Sequence, residues 1–110
     1  MPRVKDLTPT EFRQRWPESG SGQVVLLDVR ESMELEIAAV DEALHIAMGD
    51  VPARLSDLDP ERTIIVMCHS GIRSRRVAEY LLANGFLDVF NLAGGIDAWS
   101  RELDPQLARY

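Results

Sequence analysis

The chain has 110 residues, a length that suits one domain with a single core and is too short for two well-buried domains. Hydrophobic residues make up 45% and charged residues 27%, a balance typical of folded globular proteins and not of disordered chains. The formal net charge of −6 leaves no overall positive field to attract nucleic acid or anionic membranes. We therefore expect a single domain over residues 1–110, with neither nucleic acid nor membrane as a partner.

Cys68 is the only cysteine, which excludes an internal disulfide and a zinc site built from several thiolates. His45 and His69 are the only histidines, so the sequence predicts no metal and no cofactor. Residues 1–6 lack the apolar core of a secretory signal, and no apolar run approaches the roughly 20 residues of a membrane helix. These features favour a cytoplasmic location.

The first predicted helix covers residues 9–15. Thr8 can cap it, Glu11 completes a capping box with Thr8, and Pro17 ends it. Leu7, just before the cap, is placed to pack against the helix. Residues 19–22, Ser-Gly-Ser-Gly, predict a loop that leads to the first core strand.

Four segments then predict strands, and four others predict helices. The strands of residues 24–29 and 63–67 are continuously apolar and rich in β-branched residues, as expected when both faces of a parallel sheet are covered. The shorter strands are residues 43–46 and 88–92, and the helices are residues 31–38, 51–58, 74–83 and 95–102. This alternation predicts a small α/β domain with a mostly parallel sheet.

Residues 68–74, Cys-His-Ser-Gly-Ile-Arg-Ser, join a buried strand to the clearest helix. Ligands gather at the carboxyl ends of parallel strands, and a helix N-terminus presents unpaired N–H groups with partial positive charge. Gly71 permits a left-handed turn, and Arg73 adds a forked donor suited to oxyanions. The segment therefore predicts an anion-binding cup with the thiol of Cys68 on its rim.

The pattern predicts that Cys68 is a nucleophile with a lowered pKa. A free cysteine with a pKa of about 8.5 is only about 3% thiolate at pH 7, whereas a pKa two units lower makes roughly three-quarters of it thiolate. The alternative is a buried, inert cysteine, a common fate of free cysteines. For His69, a position facing solvent or a modest effect on the local field is favoured over a role as general base.

Three segments resemble the signatures of the single-domain rhodaneses: residues 28–31, Asp-Val-Arg-Glu; residues 68–74; and residues 91–99, Asn-Leu-Ala-Gly-Gly-Ile-Asp-Ala-Trp. Their order and spacing match, and the resemblance covers essentially the whole chain. It implies a rhodanese-like α/β fold, with a central, mostly parallel five-stranded sheet and helices on both faces. Residues 38–43 depart from the Gly-His-Ile-Pro-Gly-Ala stretch that the family often has there.

The resemblance also implies a sulfurtransferase. Cys68 would take a sulfane sulfur from a small anionic donor such as thiosulfate, and cyanide or a thiol, including a protein thiol, would then accept it. The residues expected to hold the persulfide follow the nucleophile: His69, Ser70, Gly71, Ile72, Arg73 and Ser74. Asp28 and Arg30 are supporting residues. The resemblance suggests that Arg30 organises the site, while the residue types favour a structural ion pair between the two.

Two other functions compete with this reading. A phosphatase or arsenate reductase on the same fold would place the arginine six positions after the cysteine, whereas Arg73 is five positions after Cys68. A persulfide carrier, or an interaction module without turnover, would share the same fold. A carrier would use the same persulfide and differ only in its acceptor.

Overall fold

The computed structural model describes residues 3–17 and 23–110, so the predicted loop at residues 19–22 lies outside the described residues. The strands are β1 (Lys5–Leu7), β2 (Val24–Asp28), β3 (Leu44–His45), β4 (Thr63–Met67) and β5 (Asp88–Leu92). The helices are α1 (Pro9–Arg15), α2 (Ser32–Ile37), α3 (Ile72–Ala83) and α4 (Gly95–Glu102). Among the described residues, no helix combines the length and the apolar character needed to cross a bilayer.

The five strands form one sheet in the order β1-β5-β4-β2-β3, and every neighbouring pair is parallel. This confirms the predicted five-stranded sheet. Strand β4 lies at its centre and pairs with β2 on one side and β5 on the other. The carboxyl end of β4, where Cys68 follows, is therefore flanked by the ends of two other strands.

The two faces of the sheet build two separate cores, because side chains alternate along each strand. On β4, Ile64 and Val66 join the core under α3, while Ile65 and Met67 join the core under α1 and α4. Helices thus cover both faces, which explains the lack of polar alternation in the central strands. Cys68 continues the alternation of Ile64 and Val66 and so belongs to the α3 side.

The bounds of α1 agree with the helix predicted over residues 9–15. The side chain of Thr8 accepts from the Glu11 N–H, and the Glu11 carboxylate accepts from the Thr8 N–H, so the predicted capping box is present. Leu7 packs in the same core as Phe12 of α1. Helix α3 starts at Ile72, two residues before its predicted start.

The predicted helix at residues 51–58 is wrong. Two short 3-10 turns occupy the region instead, at Met48–Asp50 and Leu55–Asp57. Val51 and Leu58 are both buried in the α3-side core, which holds the two ends of the segment. Tertiary packing has therefore overridden a weak local pattern.

We predict that Leu81→Ala lowers the free energy of unfolding by about 3 kcal/mol, because Leu81 of α3 is fully buried and the substitution leaves a cavity. Leu87→Ala is the matched control, since Leu87 is 74% exposed, and we expect a change within about 0.5 kcal/mol. Urea denaturation of both variants measures the difference. Equal losses would contradict the described core.

Candidate active site

The site is built around the loop between β4 and α3. Gly71 caps α3 in a left-handed conformation with φ of +107°, which an L side chain rarely adopts. That turn directs the Gly71 N–H at the sulfur of Cys68, with a donor–acceptor distance of 3.1 Å. Backbone N–H groups of Ser70 and Ser74 also stabilise the sulfur. The predicted convergence of amides on the thiol is thus present in the structure.

Burial raises the pKa of the Cys68 thiol, but the hydrogen bonds from Ser74, Gly71 and Ser70 outweigh it, and the net shift is downward. Burial and hydrogen bonding act together because the sulfur is buried among main-chain donors and not among apolar atoms alone. A buried and inert cysteine would be surrounded by apolar side chains without such donors. The local chemistry therefore favours a thiolate.

The predicted position of the thiol on the rim of the cup is wrong. Cys68 is only 1% exposed and lies on the floor. The reason is the register of β4, which turns residues 64, 66 and 68 towards α3. A reagent must therefore reach the sulfur through the loop.

Helix α4 holds the loop from behind. The N–H of Ile96 donates to the carbonyl of Cys68 at 2.9 Å, and the N–H of Asp97 donates to the carbonyl of His69 at 3.2 Å. A Cβ on Gly95 would lie 2.4 Å from both carbonyl oxygens, so only glycine permits this approach. Two carbonyls of the loop are thus bound to α4, while the Gly71 N–H on the other side of the same main chain is directed at the sulfur.

A buried polar chain reaches the sulfur from β5. The hydroxyl of Ser74 lies 3.3 Å from Sγ of Cys68 and 2.5 Å from Oδ1 of Asn91. The Asn91 amide donates in turn to Asp6, which pairs with Arg75. Sequence reasoning did not assign Asn91 to the site. A polar side chain in an otherwise apolar strand was the signal that could have found it.

Arg73 is partly exposed and forms a two-pronged ion pair with Glu34 of α2. Its two terminal nitrogens lie 2.6 and 2.9 Å from the two carboxylate oxygens. The hydroxyl of Tyr110 donates to the same carboxylate at 2.7 Å. Hydrogen bonds from Arg73 and Tyr110, opposed by partial burial, lower the pKa of Glu34 to about 2.

Asp28 and Arg30 form a fully buried ion pair beneath the loop, with 2.6 Å between the closest nitrogen and oxygen. Arg30 also donates to the hydroxyl of Tyr110 at 2.9 Å, and its carbonyl accepts from the ring of His45. The pair therefore supports the site through its neighbours and contributes no exposed charge.

Tyr110 was missed because nothing in the local sequence marks it. Its ring stacks on His69 with 4.1 Å between ring centroids and an angle of 7°. His69 is half-buried by this contact, while the side chains of Ser70 and Ile72 are exposed. Ser70 and Ile72 thus contribute main chain, not side chains, to the cup.

The altered segment at residues 38–43 lies away from Cys68. It makes a turn in which the Ala43 N–H donates to the Val40 carbonyl, and it borders an open groove of about 460 Å³ beside Trp99 and Leu103. That groove belongs to the face covered by α1 and α4. The departure of residues 38–43 from the family pattern therefore does not fall in the loop that holds Cys68.

The site is thus a thiol among main-chain amides, at the point where a strand of a parallel α/β sheet leads into a helix. The sequence profile described as "Rhodanese-like domain" matches residues 8–102. The chain is 39% identical to "Putative sulfurtransferase YtwF" of Bacillus subtilis, over 94% of this chain and 97% of that protein. It is 36% identical to a protein named "Sulfurtransferase" of Allochromatium vinosum, over 96% of each.

Among solved structures, a rhodanese-like domain protein from Staphylococcus aureus superposes with a TM-score of 0.80 and 32% identity, covering 97% of this chain and 99% of that one. The chain belongs to the rhodanese-like domain family. Its resemblance to sulfurtransferases therefore extends from the three short motifs to the whole fold.

We predict that Ser74→Ala raises the pKa of Cys68. The single hydroxyl proton of Ser74 is donated to Asn91 in the structure, but it can turn towards an ionised Sγ 3.3 Å away, so the variant loses a hydrogen bond to the thiolate. The rate of iodoacetamide alkylation against pH measures it without ambiguity, since the chain has one cysteine. Ser70→Ala is the control, because the exposed Ser70 offers its backbone N–H and that group is kept. An unchanged midpoint in Ser74→Ala would refute the assignment.

We predict a pH-dependent contribution of Glu34 to stability. Because its pKa is lowered from 4.5 to about 2, the ion pair adds stability above pH 4.5, which is lost as the pH falls towards 2. We expect the free energy of unfolding, measured by urea denaturation, to fall between pH 5 and pH 2 by about 1–2 kcal/mol less in Glu34→Gln than in the wild type. This magnitude allows for the partial solvent exposure of the pair. Glu36→Gln, an exposed change in α2, is the control, and parallel curves for wild type and Glu34→Gln would contradict the prediction.

Proposed function

We propose that the protein is a sulfurtransferase that moves a sulfane sulfur from a small anionic donor such as thiosulfate to cyanide or a thiol, through a persulfide on Cys68. The observation that carries the proposal is the position of Sγ, 3.1 Å from the Gly71 N–H and at the N-terminus of α3. Such amides stabilise both the attacking thiolate and an anionic sulfur bonded to it. The relatives named as sulfurtransferases support the reaction class.

In the first step the Cys68 thiolate attacks the outer sulfur of thiosulfate. A bond forms between Sγ and that sulfur, and the sulfur–sulfur bond of the donor breaks, with its electron pair leaving on sulfite. The charge is conserved, since a thiolate and a dianion give a persulfide anion and sulfite dianion. No general base is needed when the thiol is already ionised, which agrees with the lowered pKa of Cys68.

In the second step the acceptor attacks the terminal sulfur of the Cys68 persulfide. Cyanide leaves as thiocyanate, or a thiolate leaves as a persulfide, and Cys68 returns as a thiolate. The main chain from His69 to Ser74 would hold the terminal sulfur, and the Ser74 hydroxyl lies 3.3 Å from Sγ. Arg73, and the buried pair of Asp28 and Arg30, would keep the loop in place.

A persulfide carrier is the second candidate, and the burial of Cys68 favours it. A sulfur held on the floor of the loop is shielded from adventitious thiols until an acceptor engages. Phosphoryl transfer is a weaker candidate, because Arg73 is paired with Glu34 and is not positioned around a tetrahedral oxyanion. We propose one domain working in a reducing compartment such as the cytoplasm, since the chemistry needs a free thiolate.

We predict that incubation with thiosulfate increases the intact mass by one sulfur atom and that added cyanide removes it as thiocyanate. Cys68→Ser should abolish both, and dithiothreitol should reverse the mass gain, since it reduces a persulfide. Stable loading with no thiocyanate would favour the carrier. No gain of sulfur from thiosulfate or from a persulfide donor would overturn the proposed function.

A further inference from the structure

Three arginines of the loop and its surroundings are matched by carboxylates. Arg73 pairs with Glu34, Arg30 with Asp28, and Arg75 with Asp6. Arg76, the remaining arginine of the first turns of α3, borders a separate groove lined by Met48, Val51 and Tyr80, among others. The mouth of the loop therefore gains little net positive charge from its side chains.

Glu34 is positioned to neutralise the positive charge of Arg73, which would otherwise attract a doubly negative donor. Both of its oxygens are taken by the two terminal nitrogens of Arg73, so the forked face that would bind a sulfonate is occupied. The Tyr110 hydroxyl donates a further hydrogen bond to the same carboxylate. Glu34 also caps α2 by accepting from the Glu31 N–H, which fixes its side chain further.

We infer that Glu34 is a specificity-determining residue that masks Arg73 against dianionic donors, so that the enzyme accepts sulfur from a low-molecular-weight thiol persulfide more efficiently than from thiosulfate. This inference rests on the proposed function. The ring of amides suits a single transferred sulfur. Arg73 is the loop cation that interacts electrostatically with Cys68, and a SO₃ group that approached Arg73 would meet the Glu34 carboxylate already bound to it. A persulfide brings the same sulfane sulfur without that group.

The reaction balances with a persulfide donor. The Cys68 thiolate attacks the terminal sulfur of RS–SH, a bond forms between Sγ and that sulfur, and the donor bond breaks with its electron pair on RS⁻. The proton stays on the transferred sulfur until it ionises among the amides. The stacked rings of Tyr110 and His69 give the R group a flat aromatic surface at the edge of the loop.

The test compares kcat/KM for thiosulfate and for cysteine persulfide in wild type, Glu34→Gln and Glu36→Gln. Glutamine keeps an acceptor for the Glu31 N–H and for Arg73 while removing the charge. We expect the thiosulfate-to-persulfide ratio to rise about five- to tenfold in Glu34→Gln, as one unmasked charge near the donor would give. Any change in the pKa of Cys68 acts on both donors and cancels in the ratio.

Glu36→Gln makes the same change at an exposed position of α2 and should leave the ratio within about twofold. The inference is overturned if Glu34→Gln leaves the ratio unchanged, or if both variants shift it equally through the net charge of the protein. It is also overturned if the wild type uses thiosulfate more efficiently than cysteine persulfide.

A second measurement separates this inference from the proposed function. Alkylation of Cys68 by anionic iodoacetate and by neutral iodoacetamide senses the charge at the loop without any sulfur transfer. Glu34→Gln should raise the iodoacetate-to-iodoacetamide rate ratio by about five- to tenfold, and Glu36→Gln should not. An unchanged alkylation ratio overturns the masking by Glu34, whereas failure of both donors to load the wild type overturns the proposed function and its donor preference.

Discussion

The site depends on how the main chain of one loop is divided between two helices. The carbonyls of Cys68 and His69 are bound by the first N–H groups of α4, while the N–H groups that follow turn towards the sulfur at the start of α3. Both arrangements need glycine: Gly71 for its left-handed backbone and Gly95 for its close approach to the two carbonyls. The loop therefore presents the partial positive charge of its N–H groups to the sulfur and the partial negative charge of its carbonyls to α4.

The surrounding charges follow from this division. Because the amides already supply partial positive charge at the sulfur, the arginines are free to serve as structural links between segments. Arg73 ties α3 to α2 through Glu34, and Arg30 ties the end of β2 to Tyr110. Each link brings a distant part of the chain to the loop without leaving an unpaired charge in the interior.

Sequence reasoning predicted the parts of the fold that have local causes. The capping box of α1 and the apolar run of β4 each depend on residues within a few positions, and both were located correctly. Strand β1 has only three residues, two of them exposed, and is defined by its pairing with β5, so no local pattern marked it. The same applies to the site. The nucleophile loop is one continuous segment, whereas Glu34, Asn91 and Tyr110 reach it through tertiary contacts.

The burial of Cys68 and its activation have the same origin. The β4 register that removes the thiol from solvent also places it where the N–H groups at the start of α3 converge. These N–H groups replace the hydrogen bonds that water would donate to a thiolate, and so they offset the free-energy cost of burying it. The hydrogen bonds that accommodate the buried sulfur are the same ones that lower the pKa of Cys68, so a variant that exposes the thiol without them would gain access and lose activation.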